Sequence, residues 1–125
     1  MDYDTLQAVR FFIKDRYFHT LDNDLPDLGR LFRESTVITF DGGTFVGEDA
    51  LPDYLASPTG PDLSYSDRTV TVDAHLLADG TILALARGRC KQNSELQHFV
   101  QTFILVQDGD SYYVAHGIYQ DIADE

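Results

Sequence analysis

A chain of 125 residues is the size of one domain and long enough to bury a core unaided, while 43% hydrophobic content with 8 Phe and 7 Tyr excludes a disordered or fibrous protein. Nine Lys and Arg against 21 Asp and Glu give a net charge of -12, which repels phosphate backbones and argues against direct nucleic-acid binding; a basic protein is the partner such a surface favours. Cys90 is the only cysteine, so intramolecular disulfides and thiolate metal clusters are excluded, and no apolar run approaches the roughly 18 residues of a membrane span. The expectation is a soluble cytosolic or nuclear protein without membrane contact.

The apolar residues Leu6, Val9, Phe12 or Ile13, Tyr17 and Leu21 recur at helical spacing without Gly or Pro, predicting an amphipathic helix from Asp4 to Leu21. Asp22-Asn23-Asp24 supplies cap and turn chemistry, and Pro26 is tolerated in the first turn of a second, shorter helix from Leu25 to Phe32. The β-branched run Thr36 to Phe40 meets Asp41-Gly42-Gly43 and turns into a second strand at Thr44 to Val46. Glu48 to Leu55 predicts a third helix with Pro52 in its first turn, and the loop Ser57 to Pro61 follows. Two β runs, Arg68 to Leu77 and Thr81 to Arg89, meet at Asp79-Gly80. A polar gap from Lys91 to Gln97 then precedes a long hairpin, His98 to Ile118, that turns at Asp108-Gly109-Asp110.

The first strand of that hairpin is apolar on both faces. His98, Val100, Thr102, Ile104 and Val106 point one way; Phe99, Gln101, Phe103, Leu105 and Gln107 point the other. Helices cover only one face of a sheet in this element order, so a second cover is required, and a dimer is expected. The interface is placed on Phe99, Gln101, Phe103 and Tyr113.

The four histidines, His19, His75, His98 and His116, lack the short spacing of a zinc-binding pair, and no glycine-rich phosphate loop follows a strand. Neither a metal nor another cofactor is therefore expected. A cone of sheet and helices can enclose a cavity in which a lone general base works, and Asp41, Asp73 and His75, with Tyr17 or Tyr65 as donors, are the candidates.

Several stretches together resemble one family along nearly the whole chain. They are Leu21-Asp22-Asn23-Asp24 with Leu28-Gly29 and Leu31-Phe32, then Thr39-Phe40-Asp41-Gly42, then Phe99-x-Gln101-x-Phe103 with Asp108-Gly109 and Tyr112-Tyr113-Val114. In order and spacing these resemble the nuclear transport factor 2 family. The resemblance implies a conical α+β fold over residues 1–125, a single domain with three N-terminal helices packed on a strongly curved antiparallel β-sheet, dimerising through the sheet's outer face. It implies a non-enzymatic adaptor in nucleocytoplasmic transport, found in cytoplasm, nucleus and nuclear pore. Its partners would be the GTPase Ran in its GDP form and the phenylalanine-glycine repeats of nucleoporins.

Carried over by motif, Asp41 stands at an acidic Ran-contacting position, with Asn93 and Glu95 near two further acids of the family. Leu6, with Tyr3 nearby, stands near the aromatic that helps bind pore repeats. The chain departs from the family at His116-Gly117-Ile118-Tyr119-Gln120, and at Ala56 to Gly60 after the third helix. Two other roles share the fold: a small heterodimer subunit of an mRNA export receptor, and an isomerase or dehydratase acting on small molecules. Stress-granule scaffold proteins carry the domain at their N-terminus, and a chain ending at Glu125 is expected to stand apart from them.

Overall fold

A computed structural model describes residues 1–65 and 69–122. The first helix is continuous from Tyr3 to Asn23 but has three parts: α1 (Tyr3–Phe11), a π-helical stretch (Phe12–Phe18) and α2 (His19–Asn23). Asp2 caps its start, its carboxylate accepting from the Thr5 amide at 2.7 Å. The π stretch explains why the spacing left Phe12 and Ile13 undecided. Its wider turn brings residues five apart together, so Phe12, Ile13, Tyr17 and Phe18 are all buried on one side.

The second helix forms as a 3-10 segment, Leu25–Leu31, with Pro26 in its first turn, and the third is α3, Ala50–Ala56. Between them the strands β1 (Val37–Phe40) and β2 (Gly43–Val46) form a hairpin. After α3 come β3 (Leu63–Tyr65), which the sequence pattern did not mark, and β4 (Thr71–Leu76). The expected start of β4 at Arg68 lies outside the described residues. The long strands β5 (Ile82–Gln92), β6 (Glu95–Asp108) and β7 (Ser111–Ile122) complete a seven-stranded sheet in the order β2-β1-β7-β6-β5-β3, with β4 paired beside β3 on β5.

The sheet is antiparallel except at one ladder. The strand β1 runs parallel to β7, with Val37 to Phe40 opposite His116 to Tyr119. The polar gap from Lys91 to Gln97 is not a loop: Gln92 pairs with Glu95 across a two-residue turn. Asn93 and Ser94 both take positive φ, 53° and 71°, the geometry that suits the twist of a tight hairpin.

The helices pack on one face of the sheet around an aromatic core. Tyr17 meets Phe103 edge-on at 4.9 Å and Phe18 at 5.1 Å, and Phe18 meets Phe99 at 5.1 Å. Phe99, Gln101 and Phe103 are therefore buried beneath the helices, at 1%, 1% and 0% exposure. This corrects the interface expected from sequence. Alternation separates the two faces of β6 but does not say which one meets the helices, and the aromatic set, with the greater volume to fill a core, goes inside. The outer face carries His98, Val100, Thr102 and Ile104 of β6, with Ile118 and Ile122 of β7 exposed at 53% and 52%. Tyr113, half-buried, lies under the Arg33 guanidinium at 4.5 Å.

Candidate functional site at the mouth of the cone

The β1–β2 turn begins the site. Phe40 pairs with Gly43, and between them Asp41 (φ 47°) and Gly42 (φ 89°) both occupy the left-handed region, where Gly is at ease and Asp is tolerated. Asp41 is tied to the end of β7 twice: its amide donates to the Tyr119 carbonyl at 3.0 Å, and its carboxylate accepts from the Asp121 amide at 3.0 Å. Its exposed carboxylate thus has a fixed position at the rim.

Aromatic rings form the wall beside it. Phe40 stacks on Tyr119 with centroids 4.4 Å apart, and Tyr54 of α3 lies 5.0 Å from Phe45. Opposite stand Thr59, Gly60 and Pro61, with Gln92 and Asn93 from the β5–β6 turn, enclosing a cleft of about 470 Å³. The loop is pinned by a reciprocal pair: Asp62 N–H donates to Asn93 Oδ1 at 3.0 Å, and Asn93 N–H donates to the Asp62 carbonyl at 2.9 Å. The Ser57 hydroxyl secures its start, donating to the Tyr54 carbonyl at 2.6 Å.

Behind the rim runs a chain of polar groups that sequence reasoning missed, apart from Tyr65. The Tyr65 hydroxyl donates to Tyr119 Oη at 2.9 Å, and Tyr119 donates to Asp121 Oδ1 at 2.8 Å. The Cys90 thiol lies 3.6 Å from both Tyr119 Oη and Asp121 Oδ1. Burial pushes the Asp121 carboxyl up to about 6; the Tyr119 hydroxyl works against that rise and the neighbouring Asp41 carboxyl adds to it. Burial also raises Cys90 to about 11 and lifts Tyr65 and Tyr119 well above the ordinary phenol range, so all three stay protonated and poorly nucleophilic at neutral pH. The signal available in sequence was the inward spacing of Tyr119 and Asp121 at the end of β7.

Asp41 and Asn93 line one cleft, while Glu95 is exposed one step past the turn. Tyr3, 73% exposed, and half-buried Leu6 sit in the first turns of the same helix whose far end, at Leu21, shares a hollow with Pro61 of the cleft loop. Some 15 residues of helix, about 22 Å, separate Leu6 from Leu21. Of the candidates for general-base chemistry, Asp41 and Tyr65 both join the Tyr119–Asp121 string, while Asp73, His75 and Tyr17 stand apart from it. Asp73 has a 92% exposed side chain, His75 is exposed, and Tyr17, raised by burial to about 12, accepts from Gln101 Nε2 at 3.2 Å rather than meeting a carboxylate.

Helices on one face of a bent sheet, with an acid-rimmed aromatic cleft at the open end, define a class of small conical α+β folds. Solved structures share it: nuclear transport factor 2 from Cryptosporidium parvum superposes with a TM-score of 0.75 at 17% identity, covering 93% of each chain. The Candida albicans Mtr2–Mex67 M domain complex also gives 0.75, at 10% identity, covering 94% of this chain and 95% of the other.

The profile of the nuclear transport factor 2 (NTF2) domain matches residues 12–120, and this chain belongs to that family. Nuclear transport factor 2 of Candida glabrata is 31% identical over 123 residues, 96% of this chain and 94% of that protein. The Saccharomyces cerevisiae protein of the same name is 31% identical over 107 residues, 83% of this chain and 84% of its own.

Proposed function

We propose that this protein is a non-enzymatic nucleocytoplasmic transport factor that binds Ran in its GDP form at the Asp41 cleft. The observation that carries the reading is the meeting of Asp41 with the aromatic wall of Phe40, Phe45 and Tyr54 in one open cleft. A partner's apolar side chain fits the wall while its basic residues face Asp41, with Glu95 close by. The curated relatives named nuclear transport factor 2 support the transport role. Exposed Tyr3, with half-buried Leu6 three residues on, serves as the separate contact for phenylalanine-glycine repeats, and the working range covers cytoplasm, nucleus and nuclear pore.

The assembly is a dimer through the outer sheet face, with Ile104, Val106 and Ile118 at its seam, because water-exposed apolar surface of that breadth calls for a cover. The likeness to the Mtr2–Mex67 complex favours one second reading, in which the cover is a different subunit and the protein serves mRNA export. Calorimetric titration with Ran·GDP tests the first reading. Binding at micromolar concentration that Asp41→Lys removes, with an unchanged circular dichroism spectrum, is the expected result; no heat with the wild type sends the assignment to the export subunit.

A further inference from the structure

We infer, resting on the reading of the Asp41 cleft as the site for a basic partner, that Asp121 is its second acid. It is a positioning residue that holds a proton in the free protein and gives it up to solvent when a cationic group of the partner reaches Asp41.

The two acids are locked together across the fold. Asp41 lies in the β1–β2 turn and Asp121 near the end of β7; the Asp121 amide donates to Asp41 Oδ1 at 3.0 Å, and the Asp41 amide donates to the Tyr119 carbonyl at 3.0 Å. This clamp keeps the two carboxyl groups within hydrogen-bonding reach. Tyr119 Oη and the Cys90 thiol both serve Asp121 Oδ1, at 2.8 and 3.6 Å. Asp121 Oδ2 is shut off from water and meets no donor among the described residues. An ionised oxygen in that position is costly, whereas a protonated one becomes a donor with the Asp41 carboxyl in reach.

The surroundings favour the proton in the free protein. Cys90 of β5 and Tyr65 of β3, the latter acting through Tyr119, stay neutral, and Phe99 of β6 stands opposite Asp121 with nothing to ionise. The basic residues of the adjoining strands, Arg89, Lys91 and His98, alternate to the other face of the sheet from buried Cys90 and Phe99. Across the cleft, Tyr54 of α3 and exposed Asp62 of the pinned loop bring no cation. Burial first, then the Asp41 carboxyl, hold the Asp121 carboxyl up at about 6 against the bond from Tyr119. The free cleft therefore lacks the Asp121 charge at pH 5 and carries it at pH 7. A cation docked at Asp41 favours the ionised form of its neighbour, so binding expels the proton and strengthens as pH rises through this window.

Two measurements on the whole chain test the parts separately. Carbon NMR of the side-chain carboxyls in the free protein should show Asp121 titrating near pH 6. The step should move down in Asp41→Asn, which keeps an acceptor for the Asp121 amide and removes the neighbouring acid. An Asp121 step in the ordinary carboxylate range, or one indifferent to Asp41→Asn, overturns the pair. Calorimetry with Ran·GDP at pH 6, in buffers of different ionisation enthalpy, should show release of about half a proton per chain. Affinity should be about tenfold higher at pH 7 than at pH 5, the competent fraction at pH 5 being about one in eleven. Asp121→Asn, which stands for the protonated acid, should abolish the release and flatten the pH profile with an unchanged circular dichroism spectrum. A wild-type affinity that changes less than about twofold over that range, or a profile that Asp121→Asn leaves as it was, overturns the proposal. Absence of Ran·GDP binding at every pH overturns the release step together with the transport reading, whereas the titration of the free protein is untouched by it.

Discussion

Asp121 holds its charge at the fold's expense. Its carboxyl is pushed from 3.8 to about 6 by burial and by the Asp41 carboxyl, despite the bond from Tyr119. A raised carboxyl pKa means the folded state binds the extra proton, so stability from this group falls as pH rises through the window between about 4 and 6 and stays low above it. Asp121→Asn, which keeps an acceptor for Tyr119 and removes the like charge, should melt above wild type at pH 7.5 and level with it at pH 4. A scan of melting temperature against pH reads this directly. Phe103, fully buried between Tyr17 and Phe18, makes the opposite kind of site. Phe103→Ala should cost about 3–5 kcal/mol in urea unfolding, because the rings around it cannot collapse into the space. A loss under 1 kcal/mol would put Phe103 back on the outer face.

At the scale of elements, two tight turns and one pinned loop build the cleft. The β1–β2 turn aims Asp41, the β5–β6 turn supplies Asn93, and the reciprocal bonds between Asn93 and Asp62 hold the loop across from them. Asn93 has both a left-handed backbone and a side-chain acceptor to provide. Asn93→Ala should therefore cost about 1–2 kcal/mol and loosen the loop, whereas Asn93→Gly, which relieves the backbone, should cost less. Denaturant midpoints of the two variants decide this, and equal losses would place the whole effect in the side-chain bond. Gly60 is constrained differently: a Cβ there would overlap the Tyr54 carbonyl oxygen, so Gly60→Ala should shift the loop away from α3 and weaken partner binding.

For the whole molecule the open question is what covers the sheet. Ile118, 53% exposed at the middle of the outer face, lies opposite Thr102 and beside Ile104. In light scattering the wild type should return about twice 14.1 kDa, and Ile118→Lys should return the single-chain mass with little change in melting temperature. A wild type that scatters as one chain at high concentration would point to a different subunit on that face.

The element order and the aromatic hairpin were legible in the sequence because periodicity, turn glycines and β-branched runs are local signals. The resemblance carried the family; that Asp41 and Asn93 line one cleft came from the tertiary structure. Local signals did not reach the parallel β1–β7 ladder, the short strand β3, or the string from Tyr65 through Tyr119 to Asp121. Each joins residues far apart in the chain. Tyr65 and Tyr119 are 54 positions apart, and no propensity of either records the 2.9 Å bond between them. The face of β6 is the sharpest case. Alternation established that Phe99, Gln101 and Phe103 share a side, but only the packing of the helices decided that this side is the core. The sequence by itself determined which residues travel together; the tertiary structure decided which face they present, because burial is settled by volumes and contacts between distant elements.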